Sequence, residues 1–529
     1  MEGEVTSAAR PRGRVCWWWL VAILLAGGAL LGGLQTPELF PDDAHRNLAT
    51  IAATLLVTGM LTLWAIFGTG LARAHQIRLL VAAVVAAAAL IGCFRVEGYS
   101  GNLTPRVTWR WAAKPDESLA TRASPKPAEA SAPLADLNTT TEHDFPQFLG
   151  PHRDATVEAP AFELDWSAHR PRQLWKKPIG AGWSSFAVVG DYCVTQEQRG
   201  DEECVTCYAL KSGELLWIHA DPGRFSHPLS GDGPRSTPTI DEGRVYTMGA
   251  FGRLNCLDGR SGDCLWTHDV VKENHASSPQ WGKSCSPLVV DGWVVVSAGG
   301  KDGRSLLAYD KQTGDMAWHA GDQPSSYASP RLVELVGVRQ ILMVNKASVT
   351  AHAPDDGHLL WEFKWPGEEP KVPDAVAVDG NRVFVSAGYG LGCKLLAIET
   401  SSDDKLAPRV DWENKALKPK FTNVVMHDGH VYGLDDGRAL VCLDLKGGKR
   451  RWRGGRYGHG QILLVNDVLL VQAESGEVAL VEASPERFRE LTHFAALDGQ
   501  TWNNLVVAGR LLLVRNATEG ACYELPATE

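Results

Sequence analysis

A short phrase recurs along the last two thirds of this 529-residue chain, and it constrains the fold more than any other feature. In each copy a glycine stands four residues before a tryptophan, and the copies follow one another at roughly 40–50 residues, a period typical of repeat architectures. The copies are Gly213–Trp217, Gly262–Trp266, Gly314–Trp318, Gly357–Trp361 and Gly448–Trp452, with a degenerate copy ending at Trp412. The period therefore predicts an array of similar structural units.

A second phrase precedes each copy: two apolar runs on either side of a glycine turn. Thr239–Tyr246 surrounds Gly243, and Leu288–Val296 surrounds Gly292. Apolar, β-branched runs joined by such a turn are a strong signal for a β-hairpin. Eight hairpins are predicted, beginning near Ser184, Thr237, Ser286, Ser329, Asp374, Asn423, Gln461 and Asn503.

Each unit thus contains four short strands, which predicts an all-β fold of the propeller type with eight blades, or seven as the alternative. Tryptophan (19) outnumbers phenylalanine (14) and tyrosine (10), and we expect the repeated tryptophans to fill the wedge between blades. The eighth unit, Trp502–Leu525, has no tryptophan strand, whereas Gln173–Lys177 precedes the first hairpin without a partner. We predict that this strand completes the last blade and closes the ring.

The first 95 residues carry three apolar runs, Cys16–Leu34, Leu48–Ala72 and Leu79–Phe94, of which the third is short for a membrane span. These runs predict a three-span transmembrane anchor over residues 1–95. Residues 96–143 are rich in Pro, Ala and Ser, which predicts a flexible linker. The propeller domain is predicted over residues 144–529.

Basic residues predict how the anchor is oriented, because cytoplasmic loops carry an excess of Lys and Arg. Arginines precede the first run and lie in the second loop, at Arg10, Arg12, Arg14, Arg73 and Arg78. The chain is therefore expected in the inner (cytoplasmic) membrane, with a cytoplasmic N-terminus and a periplasmic propeller. If the third run did not insert, the propeller would be cytoplasmic instead.

The segment Ala308–Trp318 closely resembles the tryptophan-docking motif of quinoprotein dehydrogenase propellers. Further matching phrases are Phe145–Asp154, Gly233–Pro238 and Val481–Pro485. Over about residues 144–526 the chain resembles the PQQ-binding-like β-propeller repeat proteins. That family includes quinoprotein alcohol dehydrogenases and also BamB-like assembly propellers, which carry no cofactor, so the resemblance implies the fold and leaves two functions open.

A dehydrogenase of this kind would hold PQQ with Ca²⁺, which requires a flat apolar floor, basic groups and hard oxygen ligands. The candidate cofactor-binding residues are Arg235, Trp281 and Lys301, with Lys346 beside them. The alternative is that these residues simply line a solvated channel. The sequence has no adjacent cysteine pair and its loops look short, which favours a cofactor-free protein, and no metal site is predicted.

The eleven cysteines show no zinc pattern. Cys204 and Cys207 stand three apart on a predicted strand and so face opposite sides, which makes buried thiols the better interpretation. Cys256 and Cys264 could face each other across a hairpin, and a disulfide between them is one alternative.

The favoured function is a binding or scaffold module with an unknown protein partner; the alternative is a membrane-bound, PQQ-dependent dehydrogenase of an alcohol or sugar. A net charge of −10 argues against a general nucleic-acid binder. The predicted binding residues open the inner strands, and hydrogen bonding between blades is their alternative role. They are Ser184, Ser185, Arg235, Ser236, Trp281, Ser284, Lys301, Tyr327 and Trp502.

Overall fold

The computed structural model describes residues 15–36, 39–40, 42–121, 135–403 and 405–528. The chain divides into two compact units, Met1–Ala112 and Ala113–Glu529.

The first unit contains three helices and a hairpin. Its elements are α1 (Trp17–Gly33), α2 (Asp43–Leu63) extended by a π-helical turn to Gly68, α3 (Arg73–Cys93), β1 (Phe94–Tyr99) and β2 (Pro105–Trp109). Two helical stretches, Asp43–Gly68 and Arg73–Cys93, are long and apolar enough to cross a membrane, whereas α1 is shorter. The third apolar run thus belongs to a longer helix than its charge-free length predicts, because the helix begins at Arg73 and continues past Arg78. The three-span arrangement stays a prediction.

Parts of the predicted linker form regular structure. The β1–β2 hairpin lies largely within it, and a 3₁₀ turn spans Pro115–Ser118. Ala135 and Leu137 are buried against side chains of the first two blades, such as Val189. Residues 122–134, the centre of the Pro/Ala/Ser-rich stretch, lie outside the described residues.

The second unit is a β-propeller of eight blades, which confirms the predicted fold and blade number. Two strands come before the first blade, β3 (Thr156–Val157) and β4 (Arg172–Pro178). The first blade is β5 (Ala187–Val189), β6 (Tyr192–Arg199), β7 (Glu202–Ala209) and β8 (Leu215–Pro222). A small hairpin follows, β9 (Ser226–His227) and β10 (Gly231–Asp232).

The next three blades repeat the same antiparallel order. The second is β11 (Thr239–Asp241), β12 (Arg244–Met248), β13 (Arg253–Asp258) and β14 (Cys264–Asp269). The third is β15 (Leu288–Val290), β16 (Trp293–Ser297), β17 (Leu306–Asp310) and β18 (Met316–Ala320). The fourth is β19 (Arg331–Leu335), β20 (Val338–Val344), β21 (Ser348–His352) and β22 (Leu359–Lys364).

The last four blades complete the ring. The fifth is β23 (Val376–Asp379), β24 (Arg382–Ala387), β25 (Gly392–Thr400) and β26 (Leu406–Asn414). The sixth is β27 (Val425–His427), β28 (His430–Asp435), β29 (Ala439–Asp444) and β30 (Arg450–Gly454). The seventh is β31 (Gln461–Val465), β32 (Val468–Gln472), β33 (Glu477–Glu482) and β34 (Glu490–Ala495). The eighth is β35 (Val506–Ala508), β36 (Leu511–Arg515), β37 (Glu519–Glu524) and β4.

The eighth blade closes the ring with a strand from the start of the domain. β4 pairs antiparallel with β37, and Trp175 stands opposite Cys522. This confirms the predicted role of Gln173–Lys177, because the strand from the start of the domain completes the four-stranded sheet of the eighth blade. In the seventh blade β3 adds a fifth strand, parallel to β31.

The repeated tryptophans and glycines are two halves of one contact between blades. Trp318, on the fourth strand of blade 3, packs against Gly357 of blade 4, and its indole N–H donates to the Pro354 carbonyl at 3.1 Å. Trp266 packs in the same way on Gly314 of the next blade. The glycines have φ of +75° and +81°, a conformation that glycine adopts without strain. The tryptophans therefore lock successive blades, as the composition predicted.

The cysteines of the described residues are all free thiols. The alternative of a Cys256–Cys264 disulfide was wrong, because a β-bulge shifts the register and Cys256 stands opposite Trp266. Burial raises the pKa of Cys204 to about 12, which makes this thiol unreactive, in keeping with its interpretation as a buried thiol.

Candidate binding face and the closed channel

The antiparallel strand order places two sets of loops at the same end of every blade: those that enter the first strand, and the turns between the second and third strands. We name this end the upper face. The entering loops comprise residues 179–186, 223–238, 270–287, 321–330, 365–375, 415–424, 455–460 and 496–505. The expectation of uniformly short loops was wrong for 223–238 and 270–287, since the first folds into the β9–β10 hairpin and the second carries Trp281.

A ring of hydrogen bonds links the blades just below this face, and we name it the girdle. The backbone N–H of Ser185 donates to the Thr237 hydroxyl at 3.1 Å, and that of Thr237 donates to the Ser286 hydroxyl at 2.9 Å. The backbone N–H of Ser329 donates to Asp374 at 2.7 Å in the same way. One residue per blade takes part: Ser185, Thr237, Ser286, Ser329, Asp374, Asn423, Gln461 and Asn503.

Three of the predicted binding serines lie in the girdle or directly beside it. Ser184, Ser185 and Ser236 are buried, and Ser185 also donates to the Asn504 carbonyl at 2.6 Å. The backbone carbonyls of Ser184 and Ser236 accept hydrogen bonds from side chains of the neighbouring blades, Asn503 and Gln196 respectively. A role of these serines in binding a partner stays a prediction. Ser284 is half-buried and donates to the carbonyl of Tyr327 at 2.7 Å.

Of the predicted cofactor residues, Arg235 and Trp281 lie near each other, because Arg235 stacks over Phe225 and that ring lies against Gly282, the residue after Trp281. The Arg235 guanidinium donates to the Ser230 carbonyl at 3.0 Å and the Ser230 hydroxyl at 2.9 Å, and it stacks over the ring of Phe225 at 4.1 Å. Burial lowers its pKa to about 10. Arg235 is therefore occupied in stabilising its own loop. Lys301 is exposed, and Lys346 pairs with Glu368 at 2.6 Å.

Two groups of half-buried aromatic side chains lie on the upper face. In the first group Trp502 lies 4.8 Å from Trp183 and 4.9 Å from Phe421, measured between ring centroids. In the second group Trp281 stacks on Tyr327 at 5.3 Å with an interplanar angle of 28°, and Tyr389 lies 6.3 Å away. Each group combines rings from loops of different blades, so it depends on how the blades pack together.

Sequence reasoning missed three buried lysines in the entering loops. Lys283 donates to the Ala298 carbonyl at 2.5 Å and the Ser325 hydroxyl at 3.0 Å, and burial lowers its pKa to about 8. Lys371 donates to the Lys346 carbonyl at 2.5 Å, and Lys420 pairs with Asp436 at 2.9 Å. Each lysine stands three residues before a girdle residue, a spacing that could have identified them. They brace the loops rather than present charge to a ligand.

At the lower end a segment crosses the channel. Phe145 pairs with Val188 of the first blade through two hydrogen bonds of 3.0 and 2.7 Å. Arg153 donates to the Ser286 carbonyl of the third blade at 3.0 Å, and three residues later Thr156 pairs with Leu464 of the seventh. Blades 3 and 7 are opposite each other in an eight-blade ring. The crossing segment, Asp144–Val157, therefore runs across the channel axis.

The crossing segment brings a buried charge cluster together inside the ring. Arg153, Arg331 and Asp374 are all buried. Burial raises the pKa of Asp374 to about 6, although the two arginines oppose the shift. The phrase Phe145–Asp154 was noticed in the sequence, but no local signal indicated that its arginine would reach the girdle.

These residues meet only some of the needs of a Ca²⁺-bound quinone cofactor, which are a flat apolar floor, free basic groups and oxygen ligands. The Trp281–Tyr327 pair is a flat aromatic surface, and the indole N–H of Trp281 is buried with no protein partner among the described residues. The candidate basic groups are already bonded or exposed. Within the described ranges, no group of three or more His, Cys, Asp or Glu could hold a metal ion.

Comparisons with known proteins point in two directions. A family model described as outer membrane protein assembly factor BamB matches residues 201–454. Quinohemoprotein alcohol dehydrogenase ADH-IIG of Pseudomonas putida is 31% identical over 293 residues, which cover 53% of this chain and 35% of that protein. Outer membrane protein assembly factor BamB of Shewanella oneidensis is 20% identical over 234 residues, covering 41% of this chain and 56% of that protein.

Among solved structures, a europium-containing methanol dehydrogenase has a TM-score of 0.53 at 14% identity, covering 72% of this chain and 91% of that chain. At this identity the likeness concerns the fold alone. The chain spans about a third of ADH-IIG and about half of the Shewanella protein. An alcohol dehydrogenase and an outer membrane assembly factor are therefore both similar in sequence to this propeller.

Proposed function

We propose that this chain, which is a PQQ-like β-propeller protein, is a membrane-attached binding module whose upper face holds a protein partner. The N-terminal helices attach it to the inner membrane, and the propeller lies on the outer side. The distribution of arginines around the apolar runs supports this orientation.

The two aromatic groups on the upper face carry the proposal. Trp, Tyr and Arg are the residues that most often dominate protein–protein interfaces, because they bury large areas at low entropic cost. Here Trp502 and Trp281 are partly accessible, whereas the girdle hydroxyls and loop lysines are bonded internally. The accessible groups are therefore suited to packing against another surface rather than to acid–base chemistry. The match to an assembly factor is consistent with a protein partner.

The experiment compares capture of partners by the full-length chain and by face variants, using detergent-solubilised membranes of the source cell and quantitative mass spectrometry. The face variants are Trp281→Ala with Tyr327→Ala, and Trp502→Ala alone. The control is Leu265→Ala, since Leu265 is 47% exposed on the fourth strand of blade 2, away from the upper face.

We expect at least one protein to be enriched by the wild-type chain and by Leu265→Ala but lost from the face variants. Circular dichroism checks that the variants remain folded. If every captured protein survives the face substitutions, the upper face is not the binding surface. Reporter fusions at the C-terminus test the outer location separately.

A second candidate is the PQQ-dependent dehydrogenase. The 31% identity to a quinohemoprotein alcohol dehydrogenase and the stacked Trp281–Tyr327 pair favour it. Calorimetric titration of the full-length chain in detergent with PQQ and Ca²⁺ decides the matter. Saturable binding of one PQQ per chain that is lost in Trp281→Ala would support the dehydrogenase and justify a screen of alcohols and sugars. If micromolar PQQ produces no heat of binding, the dehydrogenase is contradicted and the binding module remains as the proposed function.

A further inference from the structure

The β1–β2 hairpin has one apolar face and one polar face. Phe94 stands opposite Trp109 and Val96 opposite Val107, so these four side chains point to the same side. On the other side Arg95 stands opposite Thr108. The rings of Phe94 and Trp109 meet edge to face at 5.4 Å, which holds the apolar side together.

This apolar face is open. Val96 is 52% exposed, Val107 58% and Trp109 49%, and the neighbouring Trp111 is 66% exposed. The sheet has only two strands. A two-stranded hairpin is marginally stable in water unless its apolar side packs on something. The hairpin therefore requires an apolar environment on this side.

One arginine fastens the hairpin to the end of α3, and a second holds the C-terminal end of the hairpin itself. Arg110 donates to the carbonyls of Ile91 at 2.6 Å and Gly92 at 2.8 Å, which are free at a helix C-terminus. Arg95 donates to the carbonyls of Arg110 at 3.1 Å and Ala112 at 2.9 Å. An open groove of about 510 Å³ lies where α3 meets the hairpin and is lined mainly by apolar side chains, including Leu90 and Val107. The bonds of Arg110 thus hold the hairpin against the end of α3.

The length of α3 indicates what covers the hairpin. The whole helix has 21 residues and rises about 31 Å at 1.5 Å per residue. The hydrocarbon core of a bilayer is about 30 Å thick, so a membrane-spanning α3 has its C-terminal end at an interface. The apolar face of the hairpin begins at Phe94, directly after that end, and so lies at the same interface. Tryptophan and arginine are also the residues typical of the lipid–water interface.

We propose that the apolar face of the β1–β2 hairpin is embedded in the outer interface of a phospholipid bilayer, as an extension of the membrane span α3. The proposal rests on the membrane attachment in the proposed function. The acyl chains beside the headgroups cover Phe94, Val96, Val107 and Trp109, and the polar face carries Arg106 towards the lipid phosphates. The hairpin would then anchor the start of the second unit at the membrane surface.

The test is photocrosslinking of the full-length chain in nanodiscs made of phosphatidylcholine and phosphatidylglycerol. Benzoylphenylalanine replaces one residue at a time: Val107 on the apolar face, Thr108 on the opposite face of the same strand, and Val84 in the middle of α3. Mass spectrometry identifies lipid and peptide adducts. Because neighbouring strand residues face opposite ways, we expect about fivefold more lipid adduct at position 107 than at 108, and abundant adduct at 84.

Each contrary result has a distinct meaning. Lipid adduct at 84 with none at 107 would overturn the hairpin proposal alone. Adducts from 107 to peptides of a second copy or of the propeller would also overturn it, because protein would then cover the face. Absence of lipid adduct at 84 would overturn the membrane attachment itself, and the hairpin proposal with it.

Discussion

The tryptophan–glycine contact between blades can be tested at Gly357. This glycine has φ of +75°, and a Cβ built on it would lie 2.4 Å from Cε3 of Trp318. Gly357→Ala therefore imposes two separate costs. The alanine must adopt a left-handed backbone, and the tryptophan must move from its site between blades 3 and 4.

The magnitude follows from these two costs. An alanine in the left-handed region costs about 1 kcal/mol. Overpacking a buried site costs about 1–3 kcal/mol, and here Trp318 would also strain its hydrogen bond to Pro354. We expect Gly357→Ala to lower the free energy of unfolding by about 2–4 kcal/mol.

Gly429 provides the matched control. Its φ is +72°, but a Cβ there would meet nothing within 4 Å. Gly429→Ala should therefore show only the backbone cost of about 1 kcal/mol. Trp318→Ala supplies the second control, because without the indole Gly357→Ala should fall to the same value.

The measurement is urea unfolding of the full-length chain in detergent, followed by circular dichroism, with midpoints compared at equal slope. Wild type, Gly357→Ala, Trp318→Ala and the double variant form a double-mutant cycle around Gly357 and Trp318. If Gly357→Ala and Gly429→Ala destabilise equally, or if Trp318→Ala leaves the cost of Gly357→Ala unchanged, the contact does not lock the blades in the way derived above.

Three further predictions concern buried charges. Burial would raise the pKa of Glu197, but Arg199 and Arg515 outweigh burial and lower the pKa to about 2. The ionised carboxylate therefore stabilises the fold above pH 4.5, near the ordinary pKa, and this stabilisation is lost as pH falls towards 2. Glu197→Gln should cost about 3 kcal/mol at pH 7 by leaving the buried arginines unpaired, and urea unfolding measures it; an unchanged midpoint contradicts the pairing. The pKa of Asp374 is raised to about 6, so the wild-type protein loses stability as pH rises from about 4 to 6 and this carboxyl ionises. Asp374→Asn should flatten that part of the pH–stability curve. Parallel curves for the two proteins would show that Asp374 does not titrate in this way. Arg153→Leu should release the crossing segment, seen as faster proteolysis within residues 144–157; unchanged cleavage would mean that the arginine does not hold it.

The predictions that succeeded depended on local patterns repeated in register. Hairpin signals near Thr237 and Ser286 precede first strands that begin at Thr239 and Leu288. The unpaired Gln173–Lys177 could be assigned because a ring of similar blades must close. The alternative of a Cys256–Cys264 disulfide failed, since a bulge displaces the register by one residue and places Cys256 opposite Trp266.

The candidate site was harder to predict than the fold. Arg235 was chosen as a free basic group, but its own loop supplies the Ser230 acceptors that occupy it. Ser185 was ambiguous between a binding surface and a bond to the next blade, and only its burial distinguishes the two. A residue type indicates what a side chain can bond to, and the packing of its neighbours decides whether a partner is already present.

By itself, the sequence determined the number of blades, their strand order, the strand that closes the ring and the tryptophan–glycine contact, because each depends on short-range periodicity and on the order of units along the chain. Only the tertiary structure decided which side chains meet at the axis. Arg153, Arg331 and Asp374 are far apart in sequence and become neighbours because the ring closes and one segment crosses it. The aromatic groups on the upper face also depend on tertiary structure, since each takes its rings from loops of different blades that packing brings together.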